Sequence, residues 1–199
     1  MSKNFEFYFD YGSPYSYLAN TQLERLAEKN HCKIIYKPVL IGGIFKQTGN
    51  RPPIQNPVKE KAAYNIKDIE HWREFYQVTF NWNPHFPVNT LLLMRIATAL
   101  YLHKNFPAFH HAAFNAVWVN KKNMADPNEI ITLLKSLNFN AEEVLNAAQA
   151  PENKELLKQN TEAAVHYGIF GLPSFRVKNE LIFGNDRLVL VEHFLKKQA

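Results

Sequence analysis

A serine at position 13 stands where a predicted strand ends and a helix begins. Phenylalanines alternate with other residues over positions 5–9, which is typical of a strand, and Gly12 ends it. Ser13 and Pro14 then combine a preferred N-cap residue with a proline at the first helical position. The unpaired N–H groups and positive dipole end of a helix favour an anion there. A Ser-Pro helix start is by default only a cap, so a chemical role for Ser13 needs support elsewhere in the chain.

The elements that must position this serine form two halves of one fold. Residues 33–40 predict a second strand, and the pattern from 58 to 168 is helical, without a convincing strand or repeat. Ser174–Val177 and Glu180–Phe183 flank a two-residue turn and predict a hairpin, and Asp186 is expected to cap a last helix over 187–197.

This order, β-α-β, a helical block and β-β-α, is that of a thioredoxin-like fold of the α/β class with a large helical insertion. The expected domains are a thioredoxin-like domain over 1–57 and 169–199 and a helical insertion domain over 58–168.

Length, composition and charge exclude several classes of protein. The 199 residues, 46% of them hydrophobic, suffice for one domain of ordinary size or for a domain with a large insertion. No apolar run approaches the roughly 18 residues that span a bilayer. Residues 1–4 lead directly into the first strand, so we expect a cytoplasmic protein without membrane association. The net charge of +5 comes from scattered basic residues, which does not favour nucleic-acid binding.

The cysteine and histidine content argues against redox and metal chemistry. Cys32 is the single cysteine, which excludes an intramolecular disulfide, a Cys-x-x-Cys pair and a cysteine zinc site. We expect it to be a small buried apolar residue at the entry to the second strand. His110 and His111 are adjacent on a predicted helix and therefore face different directions. The sequence predicts no metal site.

Two further stretches could bind a ligand near Ser13. Residues 41–53 hold three glycines and two prolines, which predicts an irregular loop whose ligand-capable members are Lys46, Asn50 and Arg51. Residues 171–174, Gly-Leu-Pro-Ser, precede the hairpin, and in a thioredoxin-like fold a proline here is usually cis and lies opposite the first helix. The backbone of Leu172 could then pair with an extended, peptide-like ligand.

A family resemblance is carried by four dispersed stretches, residues 9–17, 42–50, 170–173 and 183–187. They resemble, in order and spacing, the motifs of bacterial 2-hydroxychromene-2-carboxylate isomerases. Those enzymes are relatives of kappa-class glutathione transferases and, more distantly, of the DsbA oxidoreductases. The resemblance implies an enzyme that uses glutathione.

In such enzymes the serine at the Ser13 position hydrogen-bonds the glutathione sulfur and is the catalytic residue. A hydroxyl donor beside a helix N-terminus lowers a thiol pKa, which makes this role physically sensible. DsbA relatives carry cysteine here; Ser13 and Ser16 cannot exchange disulfides, so glutathione must supply the thiol. The other implied glutathione-binding residues are Pro14, Tyr15, Asn50, Leu172, Pro173, Gly184, Asn185, Asp186 and Arg187.

For the isomerase, the implied reaction is reversible thiolate addition that converts 2-hydroxychromene-2-carboxylate into trans-o-hydroxybenzylidenepyruvate, a step of aromatic catabolism. Lys46, Asn50 and Arg51 match the substrate-facing segment, although Asn50 could bind glutathione instead. Phe86 and Asn89 are weaker candidates, since a core aromatic and a helix cap explain them equally well.

Two other functions stay open at this stage. One is a kappa-like transferase that conjugates glutathione to electrophiles, and the other is a non-catalytic thiol- or peptide-binding module. The expected partners are glutathione and a small aromatic or electrophilic substrate. The resemblance also implies a homodimer, for which the apolar helical insertion is a reasonable interface.

Overall fold

The structure is a computed structural model that describes residues 3–197; the two terminal residues at each end of the predicted thioredoxin-like domain lie outside it. The strands are β1 Asn4–Phe9, β2 Lys33–Pro38, β3 Ser174–Val177 and β4 Glu180–Phe183. The helices are α1 Pro14–Asn30, α2 Ile41–Thr48, α3 Lys59–Tyr76, α4 Leu91–Leu100, α5 Phe106–Trp118, α6 Pro127–Ser136, α7 Ala141–Gln149, α8 Pro151–His166 and α9 Leu188–Lys196. Short 3₁₀ turns occupy Pro53–Gln55 and Asn185–Arg187.

The strands form one mixed sheet in the order β2-β1-β3-β4. β1 runs parallel to β2 and antiparallel to β3, and β3 and β4 form the predicted hairpin. Phe7, in the middle of β1, stands opposite Tyr36 on one side and Phe175 on the other. The predicted thioredoxin-like α/β fold is thereby confirmed.

Helices cover both faces of the sheet. Phe5, Phe7 and Phe9 are fully buried on one face, against residues of α1, α5 and α9. Tyr8 points to the opposite face, where it packs with Ile44 of α2 and residues of α8. Because side chains alternate along a strand, β1 supplies both cores.

A buried polar chain fixes the segment that leaves β1. The Tyr11 hydroxyl lies 3.1 Å from His110 Nδ1, and His110 Nε2 lies 2.8 Å from Asn20 Oδ1. Trp118 Nε1–H donates to the Tyr11 carbonyl at 2.8 Å. Burial lowers the pKa of His110 well below its usual value, so the ring is neutral. This chain joins α1 and α5 to the residues just before Ser13.

The predicted helical block consists of α3 to α8 and the segments that connect them, and residues 58–168 contain no strand in the described chain. α4 and α5 share the core with β1 and α1, and α8 packs against α2 and β2. The boundaries of the two predicted domains stay a prediction. No helix within residues 3–197 combines the length and the apolar character that crossing a membrane requires.

Three local predictions were wrong. Residues 41–48 form the helix α2 where an irregular loop was expected. Asp10 accepts a hydrogen bond from Ile41 N–H at the start of this helix, and Asn50, just after its end, donates to the Phe170 carbonyl. The last helix begins at Leu188, and Asp186 lies in the preceding 3₁₀ turn without capping it. Cys32 is partly exposed instead of buried, because it lies just before β2 at the edge of the sheet.

Candidate active site

Ser13 joins the start of α1 to the segment before β3. Its backbone is extended, as an N-cap requires, and its Oγ accepts a hydrogen bond from Ser16 N–H at 3.1 Å. The same hydroxyl donates to the Leu172 carbonyl at 3.2 Å, across 159 positions of sequence. Ser13 is therefore both the cap that its sequence context predicts and a contact between the two predicted halves of the site.

The hydroxyl of Ser13 has one hydrogen, and the Leu172 carbonyl receives it. To donate to a ligand sulfur, the hydroxyl must turn away from that carbonyl, whereas its acceptor lone pair can keep the bond from Ser16 N–H. The net stabilisation of a thiolate is then the difference between two hydrogen bonds. The Oγ of Ser16 itself is buried and has no hydrogen-bond partner among the described residues.

The Leu172–Pro173 peptide bond is cis, which confirms that prediction. Beyond it, the Pro173 carbonyl accepts from Gly184 N–H at 3.0 Å and so connects the end of β4 to the proline. Within residues 3–197, the Leu172 N–H donates to no protein acceptor. This free donor beside Ser13 is what backbone pairing with a short peptide needs.

Residues 185–187 pack against α1, and the negative charge of Asp186 acts on Tyr15 in the first turn of that helix. Gly184 has a φ of 106°, and a Cβ there would overlap Asp186 Oδ1, so only glycine suits the position. Asp186 forms an ion pair of 3.0 Å with Arg187, whose guanidinium also donates to the Phe183 carbonyl. Asn185 is buried; its carbonyl accepts from the Tyr76 hydroxyl at 2.7 Å, and its Nδ2 has no partner in the described chain.

Tyr15, in the first turn of α1, contacts the helical block. Its hydroxyl donates to Asp68 Oδ2 at 3.0 Å and lies 3.1 Å from the Asn65 carbonyl of α3. Burial, and then the negative charges of Asp68 and Asp186, raise the pKa of Tyr15 well above its usual value. The Tyr15 hydroxyl therefore stays protonated at neutral pH. Its hydrogen bonds hold α3 against the start of α1.

The residues after α2 reach the same region. Asn50 Nδ2–H donates to the Phe170 carbonyl at 2.8 Å, and its Oδ1 accepts from Arg51 N–H at 2.8 Å. Asn50 therefore holds the loop after α2 against the segment that leads to Leu172. Lys46 and Arg51 are exposed, and neither forms an ion pair with another described residue.

Within residues 3–197, no hydrogen bond or aromatic ring contact joins Phe86 or Asn89 to the residues around Ser13 and Leu172. The Phe86 ring packs on Trp82 and Trp118, with ring centroids 5.8 and 5.6 Å apart. Asn89 Oδ1 accepts from Leu91 N–H at 3.0 Å and so stabilises the start of α4. Both contacts agree with the structural interpretation of these residues.

Asp10 is the residue that sequence reasoning missed. Its carboxylate is 1% exposed and accepts three hydrogen bonds, from Gly12 N–H at 2.9 Å, the Thr90 hydroxyl at 2.6 Å and Ile41 N–H at 2.9 Å. Burial raises the pKa of Asp10, and these three donors act in the opposite direction. The only sequence signal was an acidic residue directly after a buried strand, three positions before Ser13.

A thioredoxin-like sheet, with a serine hydroxyl at the start of α1 facing a cis-proline segment, defines a thioredoxin-superfamily protein without a cysteine at the reactive position. Comparison with known proteins agrees. Residues 5–196 match the family model of the DSBA-like thioredoxin domain, and the chain belongs to that family.

Within the family, the chain is similar to two groups of enzymes. It is 29% identical to the 2-hydroxychromene-2-carboxylate isomerase of Sphingobium xenophagum, over 98% of this chain and 99% of that protein. It is also 29% identical to human glutathione S-transferase kappa 1, over 98% of this chain and 92% of the relative. A solved 2-hydroxychromene-2-carboxylate isomerase structure superposes with a TM-score of 0.84 at 25% identity, covering 98% and 95% of the two chains. The predicted resemblance and the prediction of an enzyme are confirmed.

Proposed function

We propose that this enzyme binds glutathione between the start of α1 and the cis-proline segment and isomerises 2-hydroxychromene-2-carboxylate to trans-o-hydroxybenzylidenepyruvate. The observation that carries the proposal is the 3.2 Å hydrogen bond from Ser13 Oγ to the Leu172 carbonyl. It brings a hydroxyl and a helix N-terminus next to a free backbone donor, which together suit a peptide-like thiol. Similarity to the isomerases over nearly the whole chain supports the choice of substrate.

In the proposed complex, Leu172 pairs with the cysteinyl backbone of glutathione through its free N–H. Asp186 and Arg187 hold the charged γ-glutamyl end, since they lie against α1, where the charge of Asp186 acts on Tyr15, and are exposed to solvent. Asn50 fixes the loop after α2 against the segment that leads to Leu172. Pro14, at the first position of α1, removes an N–H that would otherwise need a partner there.

When bound, glutathione would supply a thiolate nucleophile for reversible addition to the conjugated acid, so that the isomerisation gains and loses no atom. The residues of the chain hold that thiolate. Ser13 turns its hydrogen from the Leu172 carbonyl to the sulfur, and the positive end of α1 adds to the stabilisation. Lys46 and Arg51 are proposed to bind the substrate carboxylate, because both are exposed, neither forms an ion pair with another described residue, and they flank Asn50, which binds the Phe170 carbonyl.

Kappa-type transfer is the second candidate, and it is favoured by an identity to human glutathione S-transferase kappa 1 equal to that with the isomerase. The proposed glutathione site serves both reactions. The difference lies in the product, since an isomerase returns free glutathione and a transferase releases a thioether. We also propose a cytoplasmic homodimer, as the resemblance implies; the cytosol keeps glutathione largely reduced.

The deciding experiment supplies the chromene acid with glutathione at a small fraction of the substrate concentration. We expect many turnovers per glutathione, with free glutathione recovered by mass spectrometry. Accumulation of a thioether with other electrophiles, and no isomerisation, would select the transferase. Binding of glutathione without turnover of either kind would leave only a thiol-binding module.

Ser13→Ala should slow the reaction, and Ser136→Ala serves as a matched control. Ser136 is an exposed hydroxyl on α6 that donates only to the Leu133 carbonyl. Equal activity of the two variants would remove Ser13 from the mechanism.

A further inference from the structure

We propose that Asp10 is a positioning residue that holds the sulfur-binding turn and helix α2 in one fixed arrangement. The sulfur-binding turn is residues 10–13, which ends in Ser13. The roles given to the turn and to α2, in binding the sulfur and the acceptor substrate, rest on the proposed function. The connection between them rests on three hydrogen bonds that the buried Asp10 carboxylate accepts.

On the turn, Asp10 acts through both its backbone and its side chain. Its carbonyl accepts from Ser13 N–H at 3.0 Å, and its Oδ1 accepts from Gly12 N–H at 2.9 Å. The hydroxyl of Thr90, at the N-cap of α4, donates to the same Oδ1 at 2.6 Å. Asp10 therefore stabilises the turn that presents Ser13 from within the turn and also connects it to the start of α4.

On α2, Asp10 binds the first residue of the helix. Its Oδ2 accepts from Ile41 N–H at 2.9 Å, and Leu40, the N-cap of α2, makes no side-chain cap bond. The Asp10 carboxylate therefore caps the N-terminus of α2 although it belongs to another element, and its negative charge lies at the positive end of the helix dipole. α2 carries Lys46 and leads to Asn50, whose amide binds the Phe170 carbonyl.

The charge of Asp10 has no ion-pair partner among residues 3–197. Three donors and a helix N-terminus take the place of a cation. Such a carboxylate is sensitive to the loss of any one donor, since a buried anion with fewer hydrogen bonds is costly. One residue therefore links the turn that ends in Ser13 to helix α2.

Two variants break the link from opposite ends. Asp10→Asn replaces one acceptor oxygen with an NH₂ group, which cannot accept from Ile41 N–H when the remaining oxygen serves Gly12 and Thr90. Ile41→Pro removes the donor and keeps the charge of Asp10, while the proline Cδ takes the place of the hydrogen and moves Oδ2 away from α2. Proline is favoured at the first helical position. The extended backbone of Leu40, with ψ 113°, suits a residue before proline. Ile41→Val keeps the N–H and is the matched control.

Two measurements test the coupling. The first is hydrogen exchange of the α2 amides, which needs no glutathione. We expect both variants to exchange faster in α2 by about tenfold, the size of one lost charge-assisted bond, with Ile41→Val unchanged. The second is steady-state kinetics, in which we expect KM for the acceptor to rise about tenfold in both variants, while kcat and glutathione affinity change little.

A purely structural role of Asp10 would lower the melting temperature without moving the acceptor KM of the folded enzyme. If Ile41→Pro shows the same exchange rates in α2 as the wild type, or the same KM for the acceptor, the inference is wrong. This variant alone decides the test if Asp10→Asn does not fold. If the wild-type protein binds no glutathione by calorimetry, the proposed function fails. The exchange measurement still decides whether Asp10 holds α2.

Discussion

Replacement of Ser13 by alanine tests the central step of the proposed chemistry. In the wild type the hydroxyl donates either to the Leu172 carbonyl or to the sulfur. A hydrogen bond to a charged group contributes about 2 kcal/mol and a neutral one about 1 kcal/mol, so the net stabilisation of the thiolate is about 1 kcal/mol. Since one pKa unit corresponds to about 1.4 kcal/mol, Ser13→Ala should raise the pKa of bound glutathione by a little under one unit. Turnover should fall at neutral pH and recover at alkaline pH.

Ser13→Ala should also cost stability through two separate bonds. Loss of the cap to Ser16 N–H costs about 1 kcal/mol, and loss of the donor to the buried Leu172 carbonyl costs about 1 kcal/mol more. The assay is the ultraviolet absorbance of bound thiolate, titrated against pH, with urea unfolding alongside it. Ser16→Ala is the matched control in the same helical turn, because its buried hydroxyl makes no hydrogen bond in the described chain. We expect it to leave the titration unchanged and stability equal or higher. Identical titrations of wild type and Ser13→Ala would refute the role of Ser13 at the sulfur.

Asp186→Ala should weaken glutathione binding by about 1–3 kcal/mol, measured by calorimetry. Glu155→Ala, which removes an exposed carboxylate near the start of α8, is the control, and equal affinities would remove Asp186 from the site. Burial holds the pKa of His110 well below its usual value. As the pH falls below about 6.5, the histidine is therefore protonated in the unfolded chain but stays neutral in the folded chain. Stability is therefore full above that pH and lost below it, and unfolding by urea should show a steeper loss in wild type than in His110→Gln; parallel curves would contradict this. Light scattering at micromolar concentration should show a homodimer, and a monomer would reject that proposal.

The sequence was most informative where local rules decide the structure. The Ser-Pro pair after an alternating strand predicted the start of α1 correctly, because capping depends on only a few neighbouring residues. The contact between Ser13 and Leu172 could not come from local rules, since 159 positions separate the two residues. The expectation that the proline segment lies opposite α1 came from the order of the elements and the thioredoxin-like fold that this order implies.

The errors arose where distant parts of the chain override local composition. The glycines at 42 and 43 suggested a loop, yet α2 is a helix that packs tightly on α8. A Cβ at Gly43 would lie 3.0 Å from Thr161 Cγ2, so glycine there permits the close approach of two helices. Asp10 was missed for a related reason, because two of its three hydrogen-bond donors, Ile41 N–H and the Thr90 hydroxyl, are distant from it in sequence.

The order of the strands bears on how two copies of the protein can associate. β2 and β4 lie at the outer edges of the sheet, where unpaired backbone groups could recruit a strand from a second molecule. β2 carries Lys33 and Lys37 and ends at Pro38, and β4 has only four residues. Charged side chains, a proline and shortness all discourage such pairing. The sheet is therefore protected against edge-to-edge growth into fibrous aggregates, and pairing of edge strands is not the expected mode of association between two copies.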